Sequence, residues 1–198
     1  MNQTLFIYKI ARTRLRNLIA AAVLLCFFSA AVAAKCQDGG FTEYHVKALF
    51  LFNFAKYVQW PEQAFSDTNA PITIGIVGED KFGDDLPNAV EGKTVGGRSF
   101  AIKHLSANDN PQGCQILFIS DSESSQVGDI LQKVGALPIL TVGEDKSFSR
   151  SGGIINFILK DGNVRLEINL DSASRAGLKI SSKLLAVADT VRRKEAQP

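Results

Sequence analysis

The stretch Pro71–Phe82 (PITIGIVGEDKF) decides the fold. Ile72 to Val77 is β-branched and apolar almost without interruption. Pro71 bounds the run on one side and Gly78 on the other, which marks a strand followed by a tight turn. A strand with one wet face alternates polar and apolar residues. This one does not, so it is expected to be covered on both faces, as strands of a parallel sheet are. Two later runs read the same way: Gln115–Ser120 (QILFIS) and Leu137–Gly143 (LPILTVG), the second with Pro138 near its start, where a strand tolerates it best. Helical stretches alternate with them, around Phe82–Val90 and Ser122–Val134, while Arg98–Leu105 alternates and suits a half-covered strand. Strand–helix alternation with apolar strands predicts a three-layer α/β domain: a mostly parallel sheet with helices on both faces. Towards the end, Asp161-Gly162 separates Ile154–Leu159 from the strictly alternating Val164–Leu170 (VRLEINL), the strongest short-range hairpin signal, so an antiparallel hairpin is expected at one edge. Residues 171–191 read as helical with a break near Gly177.

Upstream, a long helix is expected from Thr42 to Gln59, with Thr42 as its N-cap and Pro61 marking the exit. Tyr44, Ala48, Leu51, Ala55 and Val58 form a stripe at helical spacing, and Val46, Phe50, Phe54 and Tyr57 widen it to half the circumference or more. So broad an arc predicts packing on two sides. Phe50, Phe52, Phe54, Tyr57 and Trp60 either fill the core or form a partner surface, since exposed aromatics dominate interface energetics.

The first residues have the pattern of an export signal: Lys9, Arg12, Arg14 and Arg16, an apolar run Leu18–Phe28, then Ser29–Ala34 with Ala31-Val32-Ala33 as a small-x-small cleavage site. An uncleaved inner-membrane anchor is the rival reading, and the alanine-rich end favours cleavage. On this reading residues 1–34 are a signal peptide, 35–41 a flexible lead-in, 42–191 one domain, and 192–198 a polar tail. The chain has 22 Lys+Arg and 20 Asp+Glu. The signal holds four of the bases and no acids, so the mature part carries 18 bases against 20 acids. Nucleic-acid binding needs a concentrated positive footprint, and none is present. Of the mature cysteines, Cys36 falls in the lead-in and Cys114 at the start of an apolar strand. An oxidising compartment permits a bridge between them, and a buried Cys114 with a separate Cys36 is the equal alternative. No cofactor is expected, because no nucleotide fingerprint or metal-ligand spacing occurs.

Chemistry is hard to find. There is no G-x-S-x-G turn. His45 and His104 have no spacing that implies a base held by a second group, and both read as surface or structural histidines. The adjacent acids Glu79-Asp80, Asp84-Asp85 and Glu144-Asp145 read as solvated loop charge. Arg175, Lys179 and Lys183, spaced by four, are either a solvated helix face or a docking patch for an acidic partner. One echo stands out: Val77–Phe82 (VGEDKF) and Val142–Phe148 (VGEDKSF) are nearly the same phrase, each after a buried strand. Either two turns converged on one capping chemistry, or Gly78, Glu79, Gly143 and Glu144 line a crevice at the carboxyl ends of the strands, the usual ligand site in open α/β sheets.

Phrases in order along the domain resemble the YfiR family. They are Glu43–Ala48 (EYHVKA) and Phe50–Pro61 (FLFNFAKYVQWP); Ile74–Asp80 (IGIVGED) with Phe82-Gly83; Gly92–Arg98 (GKTVGGR); Cys114–Ser120 (CQILFIS); Leu140–Gly143 (LTVG); Gly152–Phe157 (GGIINF); Arg165–Leu170 (RLEINL); and Ala176–Leu185 (AGLKISSKLL). The resemblance implies a Rossmann-like domain, exported to the periplasm and forming a homodimer. It implies a non-enzymatic regulator that represses an inner-membrane diguanylate cyclase (a GGDEF protein) by contacting its periplasmic part, lowering cyclic di-GMP and biofilm formation. An OmpA-like outer-membrane lipoprotein is the implied sequestering partner. The family's redox-sensitive disulfides are a point of departure, because only Cys36 and Cys114 remain here. Two other classes stay open. A periplasmic small-molecule sensor feeding another membrane signalling protein would show a wet pocket near Gly78 and Gly143. A periplasmic enzyme would show a histidine and a carboxylate together in a pocket.

Overall fold

The computed structural model describes residues 42–193. The expected signal peptide and lead-in, Cys36 among them, and residues 194–198 of the expected tail lie outside the described residues. Among the described residues no helix is long and apolar enough to cross a membrane.

Helix α1 spans Glu43–Tyr57. Thr42 caps it, its hydroxyl accepting from the backbone N–H of His45 at 3.1 Å, while Glu43 sits in the first turn and Lys56 in the last, as the helix dipole favours. The helix stops two residues before the expected Gln59. Val58–Gln59 instead form a short strand, β1, because extended backbone there finds a partner in Lys179–Ile180. β2 (Ile72–Val77), helix α2 (Asp85–Val90) and β3 (Phe100–Leu105) follow, then β4 (Ile116–Ile119). The expected helix at Ser122–Val134 is divided: a 3-10 segment over Asp121–Gln126 precedes helix α3, Val127–Val134. β5 (Leu140–Gly143) begins after Pro138, and β6 (Ile155–Lys160) and β7 (Asn163–Asn169) make the hairpin. Asp161 and Gly162 both take positive φ, 53° and 73°, the conformation a two-residue hairpin turn requires.

The main sheet has seven strands, ordered β3-β2-β4-β5-β6-β7-β9, where β9 is Thr190–Arg192. Pairings from β3 to β6 are parallel and β6–β7 is antiparallel. Two expectations fail at the C-terminal end. Residues 171–191 do not form a helical segment with one break. They make helix α4 (Leu170–Arg175), β8 (Lys179–Ile180), helix α5 (Ser182–Leu185) and β9 (Thr190–Arg192). Gly177 at φ 68° turns the chain out of α4, and β8 and β9 then take partners far away in sequence, β1 and β7. Nor is the hairpin the sheet's edge: β9 lies outside β7, parallel to it, and Arg192 anchors it on the buried Glu167 at 2.5 Å.

Two apolar layers cover the sheet. On one face α1, α2, α4 and α5 meet Ile74, Ile76, Ile116, Phe118, Leu140, Val142, Ile155, Phe157, Leu166 and Ile168. On the other, Val127, Ile130 and Val134 of α3 meet Val77, Leu117, Ile119 and Phe148. Phe118 and Leu117 are neighbours pointing oppositely, the period of two that strands impose. The doubly covered parallel sheet read from Ile72–Val77 is therefore present.

Candidate functional site

The strand order places a switch point. From β2 the chain crosses over α2 to β3 on one side. It then returns past β2 to β4 and crosses over α3, on the opposite face, to β5. Connections that diverge in this way open a crevice at the carboxyl ends of the strands. Here the loops partly fill that crevice. Gly78 has φ 89°, and a Cβ there would meet Ser122 Oγ at 2.5 Å. The Ser122 hydroxyl accepts from the N–H of Glu79 at 3.0 Å, and Lys81 pairs with Asp121 at 2.5 Å across the gap.

Open space remains one strand further on. A cleft of about 490 Å³ lies over the ends of β4, β5 and β6, beneath the first turns of α1. Its lining includes Tyr44, Lys47, Lys81, Asp121, Glu144 and Asn156. Lys47 is the unexpected member. Its side chain is 3% exposed, and it pairs with Glu43 and, at 2.5 Å, with Glu144, whose side chain is 5% exposed. The ammonium also lies 4.4 Å from the centre of the Tyr44 ring. Glu144 accepts further from Tyr44 Oη at 3.1 Å and from the N–H of Asp121 at 3.1 Å. One carboxylate thus ties α1 to the ends of β4 and β5. Burial pushes the Tyr44 hydroxyl pKa well above its usual value, and the Glu144 charge beside it adds to the rise. The hydrogen bond from Lys81 holds Asp121 below the ordinary carboxylate value. At the floor, Asn156 Nδ2 donates to the carbonyl of Asp145 at 2.9 Å, while its Oδ1 is buried with no partner.

The echoed phrases are two copies of one turn. Asp80 Oδ1 accepts from the N–H of Phe82 at 2.8 Å, and Asp145 Oδ1 from the N–H of Ser147 at 2.7 Å. Phe82 and Phe148 are then both buried, in opposite layers of the core. Only the first turn leads into a helix; the second runs through turns into β6. Gly143 is set by packing, since a Cβ there would meet the Phe148 ring at 2.4 Å. Of the four crevice residues expected from sequence, Glu144 lines the cleft, Glu79 is exposed, and Gly78 and Gly143 serve the turns.

The helix aromatics separate. Phe54 is wholly buried, stacking on Phe50 and Phe157, and Phe52 is buried beneath Lys56 and Lys93. Phe52 and Phe54 cannot offer a surface, because the sheet and α2 already cover them. Phe50, Tyr57 and Trp60 are half-buried, and the Trp60 indole N–H donates to the Gln115 carbonyl at 3.1 Å. Phe50 opens on a shallow groove with Val46, Leu159, Val164 and Arg165, beside the hairpin. Leu159 is 60% exposed, a large apolar side chain in water. Arg175, Lys179 and Lys183 are all exposed, but they stand on α4, β8 and α5, so no single helix face carries them.

Both histidines meet carboxylates, partners that no sequence spacing marks. His45 Nδ1 lies 2.9 Å from Asp85, which also accepts from Thr42, joining the start of α1 to the start of α2. His104 Nε2 lies 2.7 Å from Asp80, with the imidazole 63% exposed and outside the cleft. Glu144 corrects the reading of the adjacent acids as solvated charge, because Lys47 compensates its burial. Cys114 is buried and makes no bridge among the described residues, and burial raises its thiol pKa. Among the described residues no cluster of His, Cys, Asp and Glu is arranged to hold a metal ion.

A family model described as YfiR/HmsC-like matches residues 44–189. Two solved structures align with the chain. One is a conserved domain protein from Vibrio cholerae O1 biovar El Tor strain N16961, at 12% identity and a TM-score of 0.46. The other is an ABC domain in complex with L-Trp from Streptococcus pneumonia, at 12% identity and a TM-score of 0.45. Each alignment covers 61% of this chain and 55% of the other, so the chain spans about half the length of either structure.

Proposed function

We propose that this chain, which belongs to the YfiR/HmsC-like family, acts in the periplasm as a non-enzymatic regulator that binds and restrains an inner-membrane diguanylate cyclase. The observation that carries the reading is the family match, which extends over nearly the whole described domain. The groove beside the hairpin supports a docking role. Phe50, Val46 and Val164 line it, Leu159 stands 60% exposed at its rim, and Arg165 supplies a charge beside it. Phenylalanine and arginine are among the side chains enriched at protein interfaces, and Phe50 and Arg165 both line this groove. Phe50 is the member of the aromatic set that opens on this groove, so the docking surface shifts from the helix alone to the junction of α1 with the β6–β7 hairpin. The OmpA-like lipoprotein as a competing partner and the homodimer belong to the same reading.

Gene deletion tests it. Cellular cyclic di-GMP is expected to rise in the deletion strain and to return to the parental level on complementation. An unchanged level would remove the cyclase from the account.

A further inference from the structure

A second cleft carries an inference independent of partner docking. It holds about 270 Å³ between α3, α4 and the loop before β6, by the amino ends of β5 and β6. Arg175 is the one charged residue of its lining, so no acid stands in the cleft to neutralise it. The guanidinium is aimed by a hydrogen bond: its Nη2 donates at 2.7 Å to Oγ of Ser172, a buried serine one turn earlier on α4. Arg175 makes no ion pair among the described residues. Arg175, Gly128 and Gln132 are exposed, so the cleft is reached from solvent.

Gly128, in the first turn of α3, is a separate observation. Glycine inside a helix costs stability, and it is kept where φ is positive or where space is short. Neither holds at Gly128: its φ is not positive, and an added Cβ would meet nothing within 4 Å. Its missing side chain leaves this wall of the cleft open. Leu131, Val134, Ile139 and Ile154 make the apolar part of the lining. A guanidinium takes a carboxylate as a planar, two-pronged pair, and the lining has no second cation for the further charge of a phosphate or sulfate. About 270 Å³ lies at the small end of ligand pockets, with room for a few carbons.

We propose that this cleft binds a small aliphatic monocarboxylate, with its carboxylate on the Arg175 guanidinium and its alkyl end towards Leu131.

Butyrate and inorganic phosphate serve as probes. The full chain, labelled with ¹⁵N, is titrated with each at matched ionic strength and followed by NMR. Butyrate is expected to shift the Arg175 Nε–H and the backbone of Gly128–Gly135 and Ser151–Ile154 saturably, with phosphate about tenfold weaker or more. Arg175→Gln, at an exposed position, should weaken butyrate about tenfold. Gly128→Leu should also weaken it, by narrowing the cleft, while the melting temperature holds or rises. If that variant folds poorly, Arg175→Gln and the butyrate-to-phosphate ratio still decide. Absence of saturable shifts, phosphate binding as tightly as butyrate, or butyrate affinity unmoved by Arg175→Gln would overturn the proposal. The titration needs no partner protein, so its failure leaves the cyclase reading standing.

Discussion

Replacing Lys47 with Met removes the buried ammonium but keeps an unbranched apolar stem of similar length. Glu144 would then be left 5% exposed without its cation. Breaking a buried pair by removing one partner costs about 3–5 kcal/mol, because the other charge stays buried. The lower end applies here, since Glu144 keeps the donors Tyr44 Oη and the Asp121 N–H. A loss of about 3 kcal/mol corresponds to a fall of about 6–12 °C in melting temperature for a domain of this size. Urea denaturation of the wild type, Lys47→Met, Glu144→Leu and the double variant measures it. The double variant should recover much of the loss, as swapping a whole buried pair for apolar groups is often close to neutral. The reasoning fails if Lys47→Met costs under about 1 kcal/mol, or if the two single losses simply add.

Other consequences follow from particular contacts. Gly143→Ala should cost about 1–3 kcal/mol in urea denaturation, because the new methyl runs into the buried Phe148 ring. Asp145 is held below its ordinary 3.8, chiefly by the Ser147 hydroxyl. Its contribution to stability is therefore present above that value and lost as pH falls through the lower folded value, so Asp145→Asn should flatten the acid limb of the stability–pH curve. The Tyr44 hydroxyl stays protonated past the usual 10.0, so wild type and Tyr44→Phe should give superimposable phenolate absorbance through that pH. Leu159→Glu, on an exposed side chain, should leave the melting temperature within about 1 °C of wild type while raising cellular cyclic di-GMP.

How much of this could be read in advance depended on the range of the forces involved. Ile72–Val77 and Asp161-Gly162 carry local signals, strand chemistry and a positive-φ turn, and both gave the right element. The repeated VGEDK phrase pointed to a shared turn because the aspartate bonds its own backbone two residues on. Lys47 was invisible as a site residue, because its partner Glu144 lies 97 positions away and a helical lysine normally reaches solvent. The C-terminal segment misled for a related reason. β8 and β9 are two and three residues long, too short for a periodicity, and take their order from β1 and β7. The aromatics of α1 were recognised as a group, but only the sheet decides which are covered: Phe54 meets Phe157, while Phe50 reaches the groove.

The most direct trial of the regulatory account is calorimetric titration of the purified chain with the periplasmic part of the cyclase. Saturable binding that Leu159→Glu weakens at least tenfold, about 1.4 kcal/mol, is the predicted result. No binding, or binding that ignores a charge placed at Leu159, would contradict it.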